Sequence, residues 1–80
     1  MLPDRRRQVR VRANFEGEVE VRVAVGDHVE RGQPLVVVEG DIEIETLSAR
    51  GPAVVQEVCV ADGEEVAAAA LLVVLQEVDD

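Results

Sequence analysis

Side chains able to do chemistry are few in this sequence, and they are scattered. There is one histidine, His28, and one cysteine, Cys59. A reactive thiol needs a neighbour that lowers its pKa, and no histidine or lysine lies beside Cys59 in the chain. Cys59 therefore reads as a packing or incidental residue, and His28 as a lone surface histidine. With a single cysteine, neither an internal disulfide nor a metal-cysteine cluster can form. Glu39, Asp41, Glu43 and Glu45 form the densest group of carboxylates. Alternate residues of a strand share a face, so these acids could converge on a hard cation. Their spacing does not follow a calcium loop. A solvated acidic face is the simpler reading, and it would keep a short hairpin from pairing edge to edge. No acid–base pair, nucleophile–base pair or glycine-rich phosphate loop emerges. The chain reads as a non-enzyme without a metal site.

The basic residues are of one kind. All eight are arginine, and the sequence contains no lysine. Any function that needs a primary amine on a side chain is therefore closed to it.

The elements that would hold these residues are short strands. Apolar residues alternate with polar ones at Val9-Arg10-Val11-Arg12-Ala13 and again from Val19 to Val25. That period places one face of a strand on a core and the other in water. Gly26-Asp27 ends the second run with turn chemistry, and Gly32-Gln33-Pro34 makes the next break. Leu35 to Val38 is a continuous run, as in a strand packed on both sides. Gly40-Asp41 is a turn, after which Ile42-Glu43-Ile44-Glu45 alternates once more. Arg50-Gly51-Pro52 breaks the chain before a strand over Val54 to Val60. Asp62-Gly63 is a further turn, and a final strand runs from Leu71 to Leu75. The alanine-rich stretch 66–71 has helical propensity but no room for a stable helix, and is expected to be a loop.

At 80 residues the chain forms one domain, with a core that many residues must share. Its net charge of −9 is unevenly spread: residues 1–12 hold five arginines against Asp4, a local +4, which leaves −13 for the rest. An acidic body with one aromatic residue, Phe15, argues against nucleic acid as a partner. The arginine-rich start, residues 1–8, is expected to be a solvated segment ahead of a domain over 9–78. No apolar run approaches the roughly 20 residues of a membrane span, and no signal-peptide pattern opens the chain. The expected location is cytoplasmic.

The sequence also repeats itself. A shift of 37 residues lays Val21-Arg22-Val23 on Val58-Cys59-Val60, Gly26 on Gly63, and Leu35-Val36-Val37-Val38 on Leu72-Val73-Val74-Leu75. Two copies of one unit imply a quasi-two-fold arrangement in which neither buries its apolar face alone. Two small antiparallel sheets packed together meet that need. Cys59 falls on Arg22 in this alignment, which points its side chain outward.

These residues resemble the biotinyl/lipoyl carrier domain family. Val25-Gly26-Asp27-His28-Val29-Glu30-Arg31-Gly32-Gln33-Pro34-Leu35 matches the family's V-G-D-x-V-x-x-G-x-x-L, and runs without a gap into Val36-Val37-Val38-Glu39. Leu47 and Val54-Val55 fall where the family has an apolar residue and a paired apolar run. The resemblance implies an all-β fold: a flattened β-barrel, or barrel-sandwich hybrid, of two four-stranded antiparallel sheets. It places a hairpin tip at one end and both termini at the other. Asp41 leans towards the lipoyl form and Leu47-Ser48-Ala49 towards the biotinyl form. A glycine usual in the return strand is Ala53 here, and the family's attachment lysine is Ile42.

Biotin and lipoate are joined to the family as amides of a lysine side chain, and isoleucine has no atom for that bond. The resemblance therefore yields a carrier-like domain without a cofactor. Its expected role is a protein-interaction or regulatory module beside a biotin-dependent carboxylase or a 2-oxo acid dehydrogenase. The alternatives are a self-associating structural domain and a variant of a true carrier whose lysine has become Ile42. The candidate interaction residues are Glu39, Gly40, Asp41, Ile42 and Glu43. Ile42 itself is open to three readings: an ordinary exposed isoleucine, a contact to another chain, or a side chain turned inward with Ile44.

Overall fold

A computed structural model describes residues 7–78. The arginine-rich segment expected over 1–8 lies outside the described residues as far as residue 6. Eight strands follow one another: β1 (Gln8–Arg12), β2 (Gly17–Val21), β3 (His28–Val29), β4 (Pro34–Glu39), β5 (Ile44–Ser48), β6 (Ala53–Val58), β7 (Glu65–Val66) and β8 (Leu71–Glu77). They form two four-stranded antiparallel sheets, ordered β1-β8-β6-β3 and β5-β4-β2-β7. The two packed sheets are what the repeat implies, and their four-stranded form is consistent with the flattened barrel-sandwich that the resemblance implies, although the sheets do not close. Among the described residues no helix is long and apolar enough to cross a membrane.

The internal repeat is visible in the topology. Replacing β5, β4, β2 and β7 by β1, β8, β6 and β3 turns one sheet order into the other. The 37-residue shift holds from Glu20 onward. Earlier in the unit the offset falls to 36, because β6 carries a bulge between Val55 and Glu57. The extra residue, Gln56, is paired with no residue of β8. Val19 therefore corresponds to Val55, and both are buried.

Equivalent residues fill the core from both sides. Leu35 and Leu72, Val36 and Val73, Val38 and Leu75, and Val29 and Val66 are buried in one cluster. Each fully buried valine or leucine contributes about 1.5–3 kcal/mol, and the small interior leaves few to spare. The turns repeat as well. In the first, Asp27 Oδ2 accepts a hydrogen bond from the Ala24 amide at 2.9 Å. In the second, Glu64 Oε1 accepts one from the Ala61 amide at 2.9 Å. Gly26 and Gly63 hold the same left-handed backbone, with φ of 92° and 86°.

Some boundaries differ from the sequence reading. The alternating run from Val19 to Val25 stops as a strand at Val21, since Val23 is buried in the passage between sheets and Val25 is exposed. Ala53 to Val58 replaces Val54 to Val60, and the last strand reaches Glu77. Residues 67–70 of the alanine-rich stretch are loop, but Val66 ends the two-residue strand β7 and Leu71 opens β8.

Candidate functional site

The hairpin between β4 and β5 projects from one sheet. Its last ladder pair is Glu39 with Ile44. Beyond it the Gly40 amide donates to the Glu43 carbonyl at 2.7 Å, which leaves Asp41 and Ile42 at the apex. The base of the hairpin rests on the segment before β2. A Cβ added to Gly40 would lie 3.0 Å from the Glu16 carbonyl oxygen and 3.1 Å from Cδ1 of Phe15. A Cβ on Gly17 would overlap the Glu39 carbonyl. Two glycines thus let the chain's single aromatic side chain and the β2 backbone close up beneath the tip.

The structure brings Glu39, Gly40, Asp41, Ile42 and Glu43 together in that turn. Gly40 is half-buried and the other four are exposed. Ile42 is 94% exposed and Ile44 68%. The inward reading of Ile42 with Ile44 is thereby overturned. Leu47 and Ala49 fix the inward face of this strand and the segment after it, and the period of two then sends Ile44 outward with Thr46 and Ser48. Ile42 belongs to the turn and not to the strand. Its side chain is aliphatic, with no atom able to form an amide.

The acids do not gather. Glu45 is half-buried and its Oε1 accepts a hydrogen bond from Asn14 Nδ2 at 2.7 Å, while Glu39, Asp41 and Glu43 stand in solvent. Among the described residues no group of three His, Cys, Asp or Glu side chains is placed to hold a metal ion. His28 is exposed in β3. Cys59 is exposed, as its alignment with Arg22 implied. Local desolvation, then the charge of Glu57 and a hydrogen bond to it, push the Cys59 thiol above its usual pKa. That is the opposite of activation.

One feature escaped the sequence reading. The outer edges of β1 and β5, one from each sheet, face a common groove of about 480 Å³. The alternation of β1 was visible, but its position opposite β5 follows from the sheet order.

Comparison with known proteins agrees with this geometry. Residues 10–75 match the family model described as biotin-requiring enzyme. No curated protein matches the sequence. Among solved structures, a single-chain, multi-domain long-chain acyl-CoA carboxylase is similar at 26% identity with a TM-score of 0.80, over 90% of this chain and 7% of that one. The Kluyveromyces lactis urea carboxylase is similar at 25% identity with a TM-score of 0.74, over 94% of this chain and 6% of that one. The chain thus corresponds to a small part of each.

Proposed function

Because the chain belongs to the biotinyl/lipoyl domain family yet has isoleucine at the apex of its hairpin and no lysine at all, we propose that it is a non-modifiable member of that family, serving as a protein-interaction or regulatory module. The observation that supports this reading is Ile42, 94% exposed at the hairpin apex, the position that the resemblance aligns with the family's attachment lysine. In a carrier the cofactor does the chemistry and the domain delivers it. Here the delivered group is absent, and what remains is the surface that a carrier would show to its enzymes. The module has no catalytic role and no cofactor of its own.

The two solved relatives favour a carboxylase over a 2-oxo acid dehydrogenase as the setting. The domain would occupy a docking surface there and compete with a modified carrier for it. Intact-mass measurement after co-expression with active biotin and lipoate ligases tests the central claim. The expected mass is that of the bare chain, and an increment matching either cofactor would overturn it.

A second reading is self-association through the tip, favoured by the exposure of Ile42 and Ile44 on one hairpin. Light scattering across a concentration series separates the two, since a strict monomer removes self-association.

A further inference from the structure

β1 and β5 are edge strands, and no backbone hydrogen bond joins them among the described residues. Each therefore turns a row of amide and carbonyl groups towards the groove between them. Val9, Val11 and Leu47, all half-buried, line that groove, and Arg10, Arg12 and Arg50 are exposed along it. One end is tied by the hydrogen bond from Asn14 to Glu45. Arg12 also donates to the Ala69 carbonyl at 3.0 Å.

Two other concavities have the opposite sign. Glu18, Glu20, Glu39 and Asp62 line a second concavity, and Glu16, Asp41 and Glu65 help to line a third. A chain of net charge −9 thus concentrates arginine beside its open sheet edges. Unpaired edges are a template for an added strand, and proteins that do not use them usually cover or disrupt them. Here the β1 edge carries apolar residues at every second position and guanidinium groups between them, and Arg50 follows β5 on the other side.

We infer that the β1–β5 groove is a docking site for an extended acidic segment of a partner protein, bound as an added strand. Main-chain hydrogen bonds to a sheet edge supply affinity, and alternate side chains supply specificity. Apolar residues of the segment would meet Val9, Val11 and Leu47, and its carboxylates would meet Arg10 and Arg50. The net negative charge of the whole domain does not prevent this, because at physiological salt charges separated by more than about 8 Å are largely screened. Arginine suits the task, since its planar fork pairs with carboxylates in two-point geometry. The inference concerns a surface distinct from the hairpin tip, and does not depend on whether residue 42 accepts a cofactor.

The test uses the full chain and three fluorescently labelled seven-residue peptides. One alternates glutamate and valine, one alternates lysine and valine, and the third is the acidic peptide with a central proline, which interrupts strand pairing. Fluorescence anisotropy should show saturable binding of the acidic peptide, and at least tenfold weaker binding of the other two. The double variant Arg10→Glu, Arg50→Glu should lose at least tenfold in affinity while its circular dichroism and Tm stay near those of the parent. If that variant fails to fold, Arg10→Gln with Arg50→Gln should show the same direction of change. Equal binding of acidic and basic peptides, unchanged affinity in the arginine variants, or no binding of the acidic peptide at millimolar concentration would overturn the proposal. Light scattering that shows a dimer broken by the arginine variants, without peptide binding, would replace the partner segment by a second copy.

Discussion

Gly32 and Ala69 stand at equivalent positions of the two copies and share a left-handed backbone, with φ of 85° and 71°. The neighbouring hydrogen bonds correspond too. The Gly32 amide donates to the Ala49 carbonyl at 2.8 Å, and the Ala69 amide donates to the Ala13 carbonyl at 2.8 Å. Ala69 is the one non-glycine residue with positive φ among the described residues. The second copy therefore carries strain that the first avoids.

Ala69→Gly should stabilise the domain. Relief of the left-handed alanine is worth about 1–2 kcal/mol, and the added freedom of glycine in the unfolded chain takes back about 0.4–1 kcal/mol. The expected net gain is about 0.5–1 kcal/mol, which raises Tm by roughly 2–8 °C in a domain of this size. The mirror change, Gly32→Ala, should cost about 1 kcal/mol. Urea titration of the two variants reads both signs, and a stabilising Gly32→Ala would contradict the account.

Gly17→Ala should be costly for a different reason. The backbone at Gly17 lies against the Glu39 carbonyl, and a Cβ there would meet main chain and not a flexible side-chain end. Overpacking of this kind costs about 1–3 kcal/mol. Because Glu39 is the last ladder residue before the turn, the strain should also shift the hairpin. Amide chemical shifts of residues 39–44 should move together with the loss in stability. A neutral substitution with an undisturbed hairpin would show that the two strands are not held this closely.

The repeat made most of this fold legible. Leu35 falling on Leu72 gave the two-sheet core without any long-range information, and Gly26 falling on Gly63 gave matching turns. The bulge at Gln56 was hidden because a 36-residue offset in one stretch and a 37-residue offset in the next leave no mark on composition. The inward reading of Ile42 failed because a period of two does not say which face is buried. Leu47 and the following Ala49 decide it, and they lie past the turn. The groove was invisible for a related reason: β1 and β5 are neighbours only through the order in which the sheets are assembled.

Cys59 should react slowly. Desolvation, followed by the charge of Glu57 and a hydrogen bond to it, raises the thiol pKa, so less thiolate is present at neutral pH. Alkylation rates plotted against pH should inflect above the range of a small-molecule thiol, and Glu57→Gln should move the inflection down. The sign for stability follows from the same shift. The unfolded chain loses this proton first, so stability declines as pH climbs above the unfolded thiol's pKa. Because Cys59 is exposed, that decline should be small. An inflection unchanged by Glu57→Gln would remove Glu57 as a cause.

Ile42→Lys separates scaffold from side chain. The position is 94% exposed and makes no core contact, so the variant should match the parent in stability to within about 0.5 kcal/mol. Ile44→Lys, on the outward face of β5, should be similarly mild. With active ligases present, the parent should keep the mass of the bare chain. Ile42→Lys should gain the mass of biotin or of lipoate, since a lysine there stands at an exposed apex braced by Phe15 and the β2 backbone. Modification of the Ile42→Lys variant alone would show that the scaffold is carrier-competent and that one side chain decides whether it is modified. A folded Ile42→Lys variant that neither ligase modifies would mean that the turn around Asp41 has diverged as well, and that restoring the amine does not restore recognition.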